Sequence, residues 1–121
     1  MMRRLAVCLG SILSMVAAAP AAAADNYGAI AFDTATGASG YSYDYSNRAG
    51  AERRALGECG RGCRVVMWFR NACGALASTP RGGWGSGWSR SRAGAERIAM
   101  RECRSAGNIG CRVTMWSCTS R

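Results

Sequence analysis

The sequence predicts an α+β fold made of two pseudo-symmetric ββαβ units that share one core and are held by disulfide bonds. The first observation is a repeated helix, because RAGAERRALGEC at 48–59 returns as RAGAERIAMREC at 92–103 with nine of twelve positions identical. The second is a set of repeated strands around that helix, and the third is an even number of cysteines. A unit of roughly 45 residues is near the lower limit for folding alone, so the two copies should share a core.

Repeated strand segments lie on both sides of the helix. They are GAIA (28–31) and GALA (74–77) before the helix, and CRVVMW (63–68) and CRVTMW (111–116) after it. A turn-rich stretch and an aromatic run (GYSYDY, then GWGSGW) separate each first strand from its helix. Alternation and turn chemistry therefore predict strand, turn, strand, helix, strand in each unit, over about 27–70 and 74–118.

The second strand and the helix ends also have clear local signals. In YSYDY, alternation places Tyr41, Tyr43 and Tyr45 on one face of the strand. Ser46 or Asn47 is suited to cap the start of the first helix, and Ser91 that of the second.

An N-terminal segment has the features of a secretory signal peptide. Arg3 and Arg4 precede an apolar run, and Ala22 and Ala24 form an A-x-A cleavage site. An uncleaved membrane anchor is the alternative, but the run is short for a span of roughly 20 apolar residues. We therefore predict a signal peptide over 1–24 and a single domain over 25–121, exported to the periplasm or secreted.

Six cysteines remain after cleavage, and in a small exported chain they indicate a disulfide framework rather than a zinc site. Neither paired C-x-x-C knuckles nor histidines are present to complete a zinc site. The cysteines at each helix end and at the start of the next strand have equivalent roles in the two repeats. The predicted pairs are Cys59–Cys63, Cys103–Cys111 and, for the remaining two, Cys73–Cys118.

The combination of these motifs resembles the domain-of-unknown-function 4189 family of small exported bacterial proteins. The resemblance rests on the G-A-I-A opening, the aromatic second strand, the R-A-G-A-E helix that ends in Cys, and the C-R-V-x-M-W strand. It covers nearly all of the mature chain and implies an α+β domain in which the two ββαβ units are intermixed. The family has no established catalytic residues, so the resemblance assigns none here.

Charged residues lie on the predicted core-facing stripe of both helices. These are Arg48 and Glu52 in the first helix and Arg92 and Glu96 in the second. The order Arg then Glu at i, i+4 is the less favourable one for a local pair. We therefore predict buried ion pairs with partners outside the helix, such as Arg64, Arg112 or the strand backbone. The alternative is a symmetric carboxylate pair that acts on a glycan.

The composition excludes several kinds of chemistry. The chain has no histidine and no lysine, so Ser-His, Cys-His and Schiff-base mechanisms are absent. The GGWGSGWS stretch lacks the lysine of a phosphate-binding loop. We expect a non-enzyme with no cofactor and no metal.

A surface of arginine and tryptophan is the predicted binding site. If Cys63 faces the helix, alternation places Met67 and Phe69 beneath the helix as well and turns Arg64 and Trp68 the opposite way. The repeat does the same with Arg112 and Trp116. If both helices cover one face of a shared sheet, these four residues form an exposed platform for anionic groups and sugar rings. The alternative is that the two units stack face to face and bury both tryptophans.

The charge supports an anionic partner. Removing Arg3 and Arg4 from the 16 basic residues leaves 14, which against seven acids gives the mature chain a charge of +7. We expect a monomeric interaction module for an anionic glycan, lipid or protein surface, and we do not expect nucleic acid. A secreted effector that docks to a protein of another cell, or a small carboxylate-dependent glycan hydrolase, is the alternative function.

Overall fold

The computed structural model describes residues 25–120, together with Gly10. Apart from Gly10, the predicted signal peptide lies outside the described residues and stays a prediction. The elements are β1 (Tyr27–Phe32), β2 (Ser39–Tyr45), α1 (Arg48–Cys59), β3 (Arg64–Arg70), β4 (Cys73–Ser78), β5 (Trp84–Ser89), α2 (Arg92–Ser105) and β6 (Arg112–Cys118). No helix of the described part is long and apolar enough to cross a membrane.

The eight elements form two similar ββαβ units, which confirms the predicted α+β fold class. Each unit makes its own antiparallel three-stranded sheet, in the order β2-β1-β3 for the first unit and β5-β4-β6 for the second. The helix caps also agree with the sequence. The Asn47 side chain accepts a hydrogen bond from the Gly50 N–H at 2.7 Å, and Ser91 accepts one from the Gly94 N–H at 3.0 Å.

Each helix packs on one face of its own sheet through small side chains. In the first unit, Ala51 and Ala55 of α1 are fully buried against Ala29 and Ala31 of β1. In the second unit α2 packs in the same way, with a core made of Cys73, Ala75, Ala77, Ala95, Ala99 and Cys103. Alanine and glycine at these positions let the helix backbone come close to the sheet. A Cβ on Gly40 would collide with the carbonyl oxygen of Ala55.

The other faces of the two sheets pack against each other and form the shared core. This cluster combines residues of both units: Ile30, Phe32, Phe69, Ala72 and Leu76, with Val66, Met67 and Met115 at its margin. The helices therefore lie on the outer faces, and the two sheets lie between them. The sharing of one core, predicted from the size of a single unit, is confirmed. A single shared sheet with both helices on one face is not what forms.

A bulge in β3 reverses the side-chain alternation along that strand. Ala31 pairs with Val65 and Ile30 pairs with Met67, so Val66 is an extra residue. Val65 consequently faces α1, whereas Met67 faces the shared core. The sequence-based prediction that Met67 and Phe69 lie beneath the helix is wrong, because uninterrupted alternation does not allow for the extra residue.

The second unit repeats this bulge in β6. Ala77 pairs with Val113 and Leu76 pairs with Met115, so Thr114 is the extra residue. The Thr114 hydroxyl is 2.8 Å from that of Ser78, which gives both groups a hydrogen-bond partner. Because the bulge occurs at equivalent positions of both repeats, it is a regular feature of the ββαβ unit.

Three disulfide bonds join the six described cysteines in the pairs that the repeat predicts. Cys59–Cys63 and Cys103–Cys111 each connect a helix end to the following strand, with sequence separations of 4 and 8. Cys73–Cys118 has a separation of 45 and joins directly paired positions of β4 and β6. The first two therefore fix each helix to its own sheet, and the third closes the second unit.

Candidate functional site

The conspicuous arginine and glutamate of each helix form an ion pair with each other on the surface. Arg48 Nε lies 2.5 Å from Glu52 Oε1, and Arg92 Nε lies 2.7 Å from Glu96 Oε1. The side chains of the first pair are 55% and 25% exposed. The prediction of buried pairs with partners outside the helix is therefore wrong.

The reason lies in which side of the helix touches the sheet. The buried residues of α1 are Ala51 and Ala55. Since successive helical residues are rotated by about 100°, Glu52 lies at the margin of that contact rather than at its centre. At the margin, the side chains of Arg48 and Glu52 reach solvent.

A tryptophan lies beneath each of these arginines. The guanidinium carbon of Arg92 is 3.8 Å from the centroid of the Trp116 ring, and that of Arg48 is 4.6 Å from the centroid of Trp68. Both distances are within the range of cation–π attraction. We call the sets Trp68–Arg48–Glu52 and Trp116–Arg92–Glu96 the first and second stacks. Each stack holds an arginine on the surface, between an indole face and a carboxylate.

The predicted platform does not assemble on one face of a sheet. Trp68 pairs with Ala29, which faces α1, whereas Arg64 pairs with Phe32, which faces the shared core. The bulge at Val66 separates them, so Arg64 and Trp68 point to opposite faces. In the second unit Trp116 pairs with Ala75 and Arg112 with Ser78, again on opposite sides of the bulge.

Both tryptophans nevertheless remain partly exposed, although the two units do stack face to face. Trp68 is 42% exposed and Trp116 is 43% exposed. The two tryptophans lie outside the shared core because the bulges turn them towards the helices. There an arginine covers one side of each ring. The alternative in which stacking buries both indoles as core is therefore also wrong.

A groove runs between the two units beside the second stack. It has a volume of about 530 Å³ and is lined by Tyr41 and Tyr43 of β2 and by residues 114–118 of β6, among them Trp116. The two tyrosine rings are nearly parallel, with an angle of 9° and a centroid distance of 6.3 Å. Three aromatic residues, each between 43% and 51% exposed, thus border one groove.

Polar contacts hold the two walls of the groove together. The Ser117 hydroxyl donates to the Ser42 carbonyl at 3.2 Å in a buried position. The Ser120 N–H donates to the Asp44 carboxylate at 2.8 Å, and the Ser120 hydroxyl also donates to that carboxylate. These bonds join residues about 75 positions apart in sequence, so the groove exists only once the units have docked.

Sequence reasoning did not identify Tyr41 and Tyr43 as site residues. Their alternation in YSYDY was visible and places both on one face of β2. Nothing in the pattern indicated that this face would meet β6 of the other unit. The missing information was the packing partner of an edge strand.

Asp33 and Arg70 have shifted pKa values, and both lie outside the groove. The Ala35 N–H donates to the Asp33 carboxylate at 2.9 Å, which lowers the pKa of Asp33 despite the opposing effect of burial. A hydrogen bond with the Tyr27 side chain raises the pKa of Arg70, and the nearby Asp25 carboxylate acts in the same direction. Both shifts are explained by local bonds at strand ends.

The two glutamates of the stacks are not brought together. α1 and α2 make no contact with each other in the part of the chain that is described, because both sheets lie between them. Each carboxylate is instead bound to its own arginine. The carboxylate pair near a symmetry axis, which the hydrolase alternative requires, is not formed by Glu52 and Glu96.

Comparison with known proteins shows that this chain is similar to a family and to several individual proteins. Residues 27–118 match the family model described as Domain of unknown function (DUF4189). Protein Rv1269c from Mycobacterium tuberculosis and Protein Mb1300c from Mycobacterium bovis are each 48% identical over 60 residues, which cover 49% of this chain and 47% of the relative. The match thus spans about half the length of these curated relatives.

A solved structure has a related fold. The NMR structure of Rv1813c from Mycobacterium tuberculosis has a TM-score of 0.58 and is 32% identical, with 77% of this chain and 74% of that chain covered. The similarity covers more of both chains than the two sequence matches do.

Proposed function

This chain belongs to the family of domain of unknown function 4189, and on that premise we propose that it is a non-catalytic exported module that binds an anionic glycan partner in the envelope or outside the cell. One observation carries the proposal, namely that each unit presents an arginine stacked on a half-exposed tryptophan. An arginine oriented in advance loses less entropy when it binds a carboxylate or phosphate.

The arginines of the two stacks have N–H donors that are available to hydrogen-bond a ligand. In each stack the arginine donates to its glutamate through Nε. The terminal amino groups of Arg48 and Arg92 make no hydrogen bond to the described residues, and both side chains are more than half exposed. Guanidinium groups bind carboxylate and phosphate in a bidentate manner. A ligand that carries carboxylate or phosphate groups therefore suits these arginines best.

Two further features support export and a non-catalytic role. Three disulfide bonds among the described residues of so small a chain are typical of an oxidising compartment outside the cytoplasm. The carboxylates of Glu52 and Glu96 are held by arginine on separate helices, which leaves no paired acid and base there.

The experiment is a binding survey with the oxidised protein, residues 25–121. It is exposed to glycans, phospholipid vesicles and nucleic acids at physiological salt. We expect binding to acidic glycans. A double variant, Arg48→Ala/Arg92→Ala, should weaken binding by about 1.5–3 kcal/mol for each charge-assisted hydrogen bond to the glycan that it removes.

The matched control is Arg53→Ala/Arg101→Ala. It removes the same charge from the same two helices, but neither arginine takes part in a stack. If both double variants weaken binding equally, only net charge matters and the stacks are not the site. Capture of a host-cell protein with no binding to any glycan or lipid would favour the effector alternative instead.

A further inference from the structure

The two junctions between the units are related by pseudo-symmetry, but their chemistry differs. β2 lies beside β6 at one junction, and β5 lies beside β3 at the other. Tyr41 pairs with Ile30 in the first unit, and Ser86 pairs with the equivalent Leu76 in the second. By the same register Trp88 is the counterpart of Tyr43. The parallel tyrosine pair is therefore present at the β2–β6 junction and absent from the β3–β5 junction.

A second groove lies next to the second stack, between α2 and β6. It has a volume of about 430 Å³, and Glu96, Arg97, Met100, Arg104 and Val113 are among the residues that line it. Its counterpart in the first unit lacks half of this positive charge, because Gly60 occupies the position equivalent to Arg104. The cationic groove is thus also specific to the second unit.

The second stack connects the two grooves. Arg92 lies over Trp116, which lines the groove between the two units. Arg92 also donates to Glu96, which lines the cationic groove between α2 and β6. The three arginines and one glutamate along this path give a local charge of +2. Aromatic faces lie at one end of the path, arginines at the other, and the Arg92–Trp116 contact lies between them.

We propose that the two grooves form one cleft that binds an acidic oligosaccharide, with sugar rings on Tyr41, Tyr43 and Trp116 and carboxylates on Arg92, Arg97 and Arg104. The inference rests on the proposed function and locates its ligand on the second unit. Flat aromatic rings with exposed faces suit the apolar faces of sugar rings. The positive charge complements uronic acid carboxylates, which guanidinium groups bind as planar pairs.

Single-stranded nucleic acid is the other polyanion that stacks on aromatic rings. The compartment favours the glycan, because disulfide-bonded proteins function where envelope and extracellular polysaccharides occur.

The experiment measures binding of a galacturonic acid hexamer to the oxidised protein by calorimetry. Its methyl ester, which has the same sugars without the charge, and a dT hexamer are measured in parallel. We expect the acid to bind at least roughly tenfold more tightly than the ester, since the ester cannot form ion pairs with the arginines. Tyr41→Ala/Tyr43→Ala and Arg97→Ala/Arg104→Ala should each weaken binding of the acid by about tenfold or more.

Matched controls come from the pseudo-symmetric positions. Trp88→Ala replaces the exposed counterpart of Tyr43, and Arg53→Ala replaces the counterpart of Arg97. Both should bind the hexamer as the unchanged protein does. Trp88 is 59% exposed and Arg53 is exposed, so these two controls should change thermal unfolding only slightly. The same measurement will identify any variant that no longer folds.

Each remaining outcome overturns the inference. If the ester binds as tightly as the acid, or dT binds more tightly, the ligand class is wrong. If the acid binds, but the control variants bind it as weakly as the cleft variants do, the ligand does not bind in the cleft. The proposed function then still stands. If neither the hexamer nor any other acidic glycan binds, the proposed function itself fails.

Discussion

The guanidinium carbon of Arg92 lies 3.8 Å from the centroid of the Trp116 ring, and the same arginine donates to Glu96 at 2.7 Å. The equivalent stack in the first unit is looser, with 4.6 Å between Arg48 and Trp68. A charged residue that is repeated on both helices is thus explained by an aromatic partner on the following strand. The contact also places a cation at the border of the interunit groove.

Replacing Arg92 by alanine should destabilise the protein only slightly. An exposed cation–π contact contributes about 0.5–1 kcal/mol, and a surface ion pair contributes about 0.2–1 kcal/mol. We expect the free energy of unfolding in urea to fall by about 1 kcal/mol for Arg92→Ala and by less for Arg48→Ala, whose stack is longer. A decrease above about 3 kcal/mol would indicate a buried charge network instead.

Replacing the tryptophans should cost less than replacing a buried aromatic residue. Full burial would predict about 3–5 kcal/mol for each Trp→Ala change. Because Trp68 and Trp116 are 42% and 43% exposed, we expect about 1–2 kcal/mol for each. The measurement is urea unfolding of the single and double variants. Phe69→Ala is the comparison, since Phe69 is buried in the shared core and should show the full decrease.

The three disulfides should contribute unequally. On the chain-entropy model a bond stabilises more when it closes a longer loop, which gives about 4 kcal/mol for Cys73–Cys118 and about 2–2.6 kcal/mol for each local bond. Pairwise replacement by alanine, followed by thermal unfolding, tests this order. A larger effect from removal of Cys59–Cys63 than of Cys73–Cys118 would show that native packing, not loop closure, dominates.

Glycine is required where each second strand passes under its helix. A Cβ on Gly85 would overlap the backbone N of Cys103 and would lie 2.6 Å from the carbonyl oxygen of Ala99. Gly85→Ala should therefore destabilise the protein by about 1–3 kcal/mol through overpacking. Gly57→Ala is the control, because that helical position faces open space and should stabilise by about 0.5–1 kcal/mol. Equal effects in urea unfolding would contradict the close approach.

Asp33 should make stability depend on acid pH. The Ala35 N–H bond lowers the pKa of Asp33 below its ordinary value of 3.8, so the ionised carboxylate stabilises the fold above that pH. The stabilisation disappears as the pH falls through the lowered folded-state pKa. We expect Asp33→Asn to narrow the difference in urea midpoint between about pH 6 and about pH 2. Glu102→Gln, which changes an exposed carboxylate, is the control. The idea fails if the two variants behave alike.

Much of the fold could be predicted because its signals are local or repeated. The order of elements follows from alternation and turn chemistry, and the caps Asn47 and Ser91 follow from residue type at a helix start. The repeat assigned equivalent roles to cysteines of the two units, which was enough to predict the pairs that the structure contains. The shared core followed from the small size of one unit.

The site, in contrast, depended on tertiary structure at three points. The first is the bulge, since one extra residue at Val66 and at Thr114 reverses alternation. It moved Trp68 and Trp116 to the helix side, away from Arg64 and Arg112. Strand periodicity cannot reveal a bulge, because the bulge is defined by pairing with another strand.

The other two points concern which surfaces meet. The face of α1 that contacts the sheet is centred on Ala51 and Ala55, not on Arg48 and Glu52 as the predicted stripe was. Arg48 and Glu52 therefore lie at the surface rather than in the core. Docking of the two sheets brought Tyr41 and Tyr43 beside a strand about 75 residues away in sequence. The sequence by itself determined the elements, the pairing of cysteines and the shared core. Only the packing of those elements decided which side chains reach solvent together, because that depends on register and docking between distant segments.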